Sequence, residues 1–241
     1  MTELCDEAIQ NRQYNAMFER TKLLYGADAM KKLKNSRVAV FGIGGVGGAC
    51  AEALARSGIG AMDLFDNDIV TPSNINRQIV ALHSTIGTFK TDVMAGRIRD
   101  INPECKVTSN KVFYSKENSG DTDLSLYDCV IDAIDTVSSK IELIVRAKAA
   151  GVHIICSMGA GNKLDPTLFT VTDIFKTETD PLAKAIRKEL RALGLKDVPV
   201  VWSKEPPHAT ANSGPVPSNA FVPPTAGLIL AAETVKHLTS K

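Results

Sequence analysis

The 241-residue chain is short of several things, and each shortage narrows its function. Charge of one sign is missing: 28 Lys and Arg stand against 27 Asp and Glu, a net charge of +1, so any attraction to nucleic acid must come from a local patch. No apolar run approaches the roughly 20 residues that a bilayer-spanning helix needs. The opening "MTELCDEAIQ" is acidic and polar, unlike a secretory signal, and a cytoplasmic setting is expected. Aromatic residues make up only 5% of the chain, with one tryptophan, so platforms for base stacking are sparse. The five cysteines, Cys5, Cys50, Cys105, Cys129 and Cys156, are widely spaced with no C-x-x-C pair. That spacing argues against structural zinc and predicts free thiols used as small core residues.

What is present reads as one soluble globular domain, 44% hydrophobic and 23% charged, without internal repeat or linker. The segment "YNAMFERTKLLYG" predicts an N-terminal helix with Phe18, Leu24 and Tyr25 near one face and Gly26 as its stop. Strands are expected at 37–41, 61–65, 106–113, 129–133 and 153–157, separated by helices at 46–57, 90–101 and 138–150. Val- and Ile-rich strands alternating with amphipathic helices predict an α/β fold, a Rossmann-like, doubly wound, mostly parallel sheet covered on both faces. Beyond Gly161 the sheet is extended by strands in "TLFTVTDIF" and "VPVVWS". Between these two strands lies a helix, "DPLAKAIRKELRALG", with Asp180 to cap, Pro181 in the first turn and Gly194 to stop. A long Pro-, Ser- and Asn-rich stretch from 204 to 224 precedes a closing helix, "TAGLILAAETVKHL". The expected layout is a helical arm (1–35), a nucleotide-binding core (36–175) and a substrate-side segment (176–241).

The stretch "RVAVFGIGGVGGACAEALARSGIGAMDLFDNDIV" carries the first functional signal. Gly42, Gly44 and Gly47 fit G-x-G-x-x-G between a strand and a helix, with Gly45 and Gly48 adding slack. Such glycines allow a tight turn, close approach of backbone to phosphate, and close helix–strand packing, while the helix N-terminus supplies donors and partial positive charge. Asp66 and Asp68 stand at the right distance downstream to take a ribose hydroxyl. A redox dinucleotide and ATP fit this motif equally well.

Two cations favour ATP. Arg77 follows in "NDIVTPSNINRQIV" and Lys90 in "GTFKTDVM". A triphosphate undergoing cleavage needs guanidinium and ammonium groups because charge builds on the departing fragment, whereas a bound dinucleotide does not. Either cation alone reads as a solvated surface charge. In "VIDAIDT", Asp132 and Asp135 end a strand at the mouth of such a site, where carboxylates serve as Mg²⁺ ligands. Asp135 could equally cap the helix that follows.

Taken together, "GIGGVGG", "DLFDNDIVTPSNINRQ", "GTFK" and "IDAIDT" resemble the ubiquitin-activating-enzyme superfamily, which includes the ThiF-type adenylating enzymes of sulfur-carrier proteins. The resemblance implies that Gly42, Gly44, Gly45 and Gly47 line the phosphates and that Asp66, with Asp68, serves the ribose side. It further implies that Asn74, Arg77, Gln78 and Lys90 surround the triphosphate, and that Asp135 binds Mg²⁺; Arg77, Lys90 and Asp135 would be the catalytic set. A basic residue near the N-terminus would reach into a partner copy, which implies a homodimer; Arg20 is the candidate, with Arg12 and Lys22 left open. The shared reaction is attack of a carboxylate on the α-phosphate of ATP.

In the second half, "SMGAGNKLDPT", "VTDIFKTETDPLAKAIRKELR" and "VWSKEPP" resemble a narrower branch, the tRNA threonylcarbamoyladenosine dehydratases. That implies adenylation of the threonyl carboxylate of the modified adenosine at tRNA position 37, followed by ring closure with loss of AMP. A monovalent cation and a sulfurtransferase-type partner are left open. Acyl transfer to an enzyme thiol is disfavoured, because no cysteine follows Cys156 and Cys156 itself lies within a strand. The alternatives are an activator of a ubiquitin-like or sulfur-carrier protein, and a NAD-binding redox or sensor protein. Independently of the resemblance, Lys184, Arg187, Lys188 and Arg191 form a basic stripe opposite Leu182, Ile186, Leu190 and Leu193, which is either an RNA-tracking face or a solvated one. Trp202 and Phe221 are the stacking candidates, and His208 is the candidate general base or plain surface.

Overall fold

The computed structural model describes residues 16–208 and 216–240. Seven strands form one sheet in the order β3-β2-β1-β4-β5-β7-β6. In chain order they are β1 (Arg37–Phe41), β2 (Ala61–Phe65), β3 (Lys106–Asn110), β4 (Cys129–Asp132), β5 (Ile154–Ser157), β6 (Phe169–Asp173) and β7 (Pro199–Ser203). All neighbouring pairs are parallel except β6 with β7. The described helices are α1 (Glu19–Tyr25), α2 (Ala27–Asn35), α3 (Gly45–Arg56), α4 (Lys90–Ile101), α5 (Val137–Ala149), α6 (Pro181–Ala192) and α7 (Val222–Ser240).

Strand alternation sorts the core into two layers. Val38, Val40, Met62, Leu64, Ile131 and Ile155 point to the side covered by α3, α4 and α7. Ala39, Phe41, Val130, Ile154 and Cys156 point to the side covered by α5 and α6. The chain steps outward from β1 to β3 on one side and from β4 to β6 on the other. Strand order therefore reverses between β1 and β4, the place where an open α/β sheet leaves a crevice at its carboxyl ends.

Several boundaries differ from the sequence expectation for visible reasons. The N-terminal helix stops at Gly26, at φ +87°, where its sequence signal puts the end, and a second helix, α2, follows directly. Phe18 is buried, but Leu24 and Tyr25 are exposed rather than sharing its covered face. Strand β3 stops at Asn110 instead of reaching residue 113, because β2 offers no partner beyond Phe65; residues 112–114 turn away to wall the crevice. Helix α7 begins at Val222, ahead of the expected Thr225. Pro223 and Pro224 fit its first turn, where no intrahelical donor is lost, and Asn219 Oδ1 accepts from the Phe221 and Val222 amides. Helix α6 follows its sequence signals: the Asp180 carboxylate accepts from the Ala183 amide, and Gly194 adopts φ +68° beyond the end. Among the described residues no helix is long and apolar enough to cross a membrane.

Candidate functional site

The crevice at the reversal point is a cavity of about 490 Å³. Its floor is the turn from β1 into α3. Gly42 lies at φ +87°, and a Cβ there would sit 2.6 Å from the Ala133 carbonyl oxygen, so the close approach of the turn after β1 to the chain leaving β4 admits only glycine. Gly44 and Gly45 face the cavity. Gly47 does not: a Cβ on it would collide with the Gly42 carbonyl, so its role is to seat α3 on the loop rather than to line the phosphates. Gly44 caps α3 without a side-chain bond, which leaves the helix's first amides and the positive end of its dipole toward the cavity.

Asp66 stands at the end of β2 and lines the cavity. Its carboxylate accepts from the Ile43 amide at 2.6 Å and the Asp68 amide at 2.8 Å. Burial raises its pKa above the ordinary value, against the opposing charge of Lys90. Lys90 opens α4 and is buried, and its ammonium reaches Asp68 Oδ2 at 2.6 Å while its side chain lines the cavity. Arg77 also lines the cavity and is held from behind, Nη1 donating to Ser73 O at 2.9 Å and Asn76 Oδ1 at 2.8 Å. Gln78 is buried on the same wall with Oε1 unpartnered, an acceptor waiting for a donor.

Asn74 is the exception in this group. It is buried outside the cavity lining, and its Oδ1 accepts from the Thr71 amide, closing a short helical turn that presents Arg77 and Gln78. A support for the wall replaces the direct triphosphate contact expected for it.

The two acids of "VIDAIDT" separate. Asp135 is exposed on the cavity wall, and the N-cap of α5 falls on Thr136, so Asp135 is free of the capping role. Asp132 points the other way, into the layer under α5, where it is wholly buried against Lys140 Nζ at 2.9 Å. Lys140 also donates to Ile134 O at 2.9 Å, and Asp132 Oδ1 accepts from the Ile134 amide at 3.1 Å. The buried pair thus clamps both sides of the peptide that leads to Asp135. Lys140 was not singled out from the sequence. Its signal was present, because it occupies a core position of the α5 stripe with Leu143, Ile144 and Ala147.

Other expectations are corrected or relocated. Trp202 is buried and its indole N–H donates to Glu178 O, so it is no stacking platform, whereas Phe221 is exposed. His208 lies outside the cavity lining, with Nε2 paired to Glu205 Oε1 at 2.8 Å, rather than standing free as a general base. Arg20 and Lys22 are exposed on α1 and do not line the chain's own cavity, and Arg12 and Cys5 lie outside the described residues. Cys50, Cys105, Cys129 and Cys156 are buried and form no disulfide among the described residues. Burial pushes the Cys156 thiol well above its usual pKa, which rules it out as a ready nucleophile. Cavity walls that sequence reasoning missed are 112–114, the turn after β5 from Ser157 to Gly161, and Val216 and Ser218 from the long loop. Residues 157–161 lie within "SMGAGNKLDPT", quoted above for the resemblance alone, and none of these wall residues carries a charge that would mark it as a site residue.

The geometry has counterparts. A Bacillus subtilis protein named tRNA threonylcarbamoyladenosine dehydratase is 45% identical over 238 residues, 92% of this chain and 94% of that one. The Escherichia coli tRNA N6-threonylcarbamoyladenosine dehydratase, solved in complex with AMP, superposes with a TM-score of 0.89 at 38% identity, covering 94% of this chain and 95% of that one. A second structure of that enzyme, in complex with ATP, gives a TM-score of 0.86 at the same identity and coverage. The family model described as "ThiF family" matches residues 18–241, and with the whole sheet, its glycine turn and its closing helix inside that match, the chain belongs to the ThiF family.

Proposed function

We propose that the protein is an ATP-dependent dehydratase acting on tRNA that carries N6-threonylcarbamoyladenosine at position 37. The observation that carries this reading is the convergence of Arg77 and Lys90 on the cavity that also holds the glycine turn and Asp66. A bound dinucleotide would use the turn and the carboxylate alone; the two cations match a phosphate chain that separates. The names and bound nucleotides of the relatives point the same way.

In this reading Asp66, ionised, accepts from the ribose, and the first amides of α3 take the α-phosphate side. The threonyl carboxylate oxygen forms a bond to the α-phosphorus and the bond to the pyrophosphate oxygen breaks. Arg77 and Lys90 hold the departing pyrophosphate, the guanidinium as a fork and the ammonium as a point charge. An internal nitrogen or oxygen of the substrate then bonds to the acyl carbon and AMP leaves, carrying the oxygen that a hydrolytic count would assign to water. No enzyme thiol takes part, in keeping with the burial of Cys156.

The donor set at Asp135 fits Mg²⁺, which accepts one carboxylate together with substrate phosphates. Among the described residues no group of three or more His, Cys, Asp and Glu forms a metal cage, so the ion would arrive with the nucleotide and supply charge to its phosphates.

The protein acts as a homodimer in this proposal, in the cytoplasm. Helix α1 buries none of its residues, and Leu23 and Leu24 are 82% and 78% exposed. A seven-residue helix of that kind is not stable by itself, and a second copy would cover it and receive Arg20.

The test is ATP-dependent AMP release with tRNA bearing or lacking threonylcarbamoyladenosine. Stimulation by the modified tRNA alone is expected. AMP release that instead requires a small protein ending in Gly-Gly would replace this reading with carrier-protein activation.

A further inference from the structure

We infer that the outer face of α6 is the surface on which the RNA backbone lies while its modified nucleoside enters the cavity. This inference rests on the tRNA reading above and adds where on the chain the RNA is held.

The helix starts at the cavity: Leu182, in its first turn, is part of the wall, and Asp180 Oδ2 accepts from the amide of Gly159, another wall residue, at 2.9 Å. From there α6 runs its 12 residues down the flank of the sheet, about 18 Å at the usual rise. Ala183, Ile186 and Leu190 face the core, and Lys184, Lys188 and Arg191 are exposed on the opposite side at i, i+4 and i+7. The only acid in the helix, Glu189, lies about 100° round from Lys188, off the stripe. Since the whole chain nets +1 and this helix alone sets four bases against one acid, the remainder of the molecule is net acidic. Helix α6 therefore carries a local excess of positive charge that the chain as a whole does not.

What marks this flank is that its bases share one helix face that begins at the cavity wall. Some surface cations are matched to acids of the chain, Lys34 with Glu104, Arg56 and Arg97 with Glu52, Lys111 with Asp92, and Lys236 with Glu233, while other exposed ones, Lys31 among them, have no ion pair among the described residues. Among the described residues neither the Lys184 nor the Lys188 ammonium has an ion pair or hydrogen bond, and both side chains are exposed. Their companions are fixed in place. The Arg187 guanidinium is tied to the backbone and hydroxyl of Thr177, and Arg191 is held over the Phe175 ring at 5.4 Å from its centroid. The flank therefore offers two uncompensated ammonium groups beside a positioned guanidinium, the first of them one turn from the cavity wall. This is the chemistry that neutralises successive phosphates of a nucleic-acid strand without reading its sequence.

The experiment uses the full-length protein with Lys184→Gln and Lys188→Gln combined, and Lys31→Gln as a surface control. The readout is AMP release against the concentrations of modified tRNA and of ATP at several salt concentrations. The double variant is expected to raise the KM for tRNA about tenfold, leave the KM for ATP and the kcat unchanged, and flatten the slope of log affinity against log salt by roughly 1.5. The Lys31→Gln control is expected to match wild type. If wild-type AMP release is indifferent to modified tRNA, the proposed function fails and this surface with it. If wild type responds and the double variant keeps both the tRNA KM and the salt slope, the surface alone is refuted.

Discussion

Replacing Lys140 with methionine tests the wall that presents Asp135. The substitution preserves the bulk of a wholly buried side chain but strands Asp132, which has no exposure of its own and lies 2.9 Å from the lost ammonium. Burial already raises the Asp132 pKa, opposed by Lys140, so without the lysine the folded protein keeps Asp132 protonated. Unfolding then releases that proton. Each pH unit above the unfolded carboxylate pKa of about 3.9 costs the folded state about 1.36 kcal/mol, or about 4 kcal/mol at pH 7 and about 1.5 kcal/mol at pH 5. The sign follows from linkage: a carboxyl group with a raised folded pKa binds more protons folded than unfolded, so stability falls as pH rises through this window. The pH 7 value agrees with the usual 3–5 kcal/mol for breaking one side of a buried pair.

Urea unfolding at several pH values, followed by the fluorescence of the single, buried Trp202, measures the effect directly. Asp132→Asn combined with Lys140→Met removes the stranded carboxyl, and its stability difference from wild type should lose this pH dependence. A Lys140→Met cost below about 1 kcal/mol at pH 7, or one equal at pH 5 and pH 7, would refute the picture of a buried ionic clamp.

Arg77→Ala and Lys90→Ala should each slow AMP release by two orders of magnitude or more, with the unfolding midpoint close to wild type for Arg77→Ala and lowered for Lys90→Ala, which empties a buried position; single-turnover rates near wild type in both would remove them from the leaving-phosphate role. Nucleotide binding should weaken on acidification with an apparent pKa above the ordinary Asp value, because burial raises Asp66 and only its ionised form accepts from the ribose. Calorimetric titration of Asp66→Asn should show weak binding with that pH dependence gone. Gly47→Ala puts a methyl into the Gly42 carbonyl, an overpacking cost of about 1–3 kcal/mol that lowers Tm by roughly 5 °C or more. Gly96→Ala has no atom within 4 Å of the new methyl, at an exposed position of α4, and should instead raise Tm slightly.

The sheet was legible because its signals are local. Strands β1 and β2 and helix α4 occupy the residues their patterns predict, since buried parallel strands read as short apolar runs and a 3.6-residue stripe fixes a helix. The glycine turn was legible as a turn, but the division of labour inside it was not. Gly44 and Gly45 approach the cavity while Gly47 meets the Gly42 carbonyl, and that difference arises from how α3 docks on β1, a tertiary fact. The reading of Leu24 and Tyr25 failed for a related reason: periodicity identifies an apolar face without saying what covers it, and the described residues do not cover it.

Asp132 and Asp135 show how far such reading can be pushed. Alternation along β4 puts Asp132 on the same side as Val130, toward α5, because successive strand residues face opposite layers. The first turns of α5 bring Lys140 onto that side together with Leu143, Ile144 and Ala147. A lysine inside an apolar stripe demands a buried acid within reach, and an acid at the inward position of a strand end demands a buried base; each is too costly alone, and together they identify each other. Asp135 has no such partner. It lies past the end of the strand, where alternation no longer applies, and faces the cavity with its charge unpaired by any lysine or arginine among the described residues. The acid free to meet an incoming ligand is therefore the one that the interior leaves unclaimed, and its position is set by the acid that the interior holds.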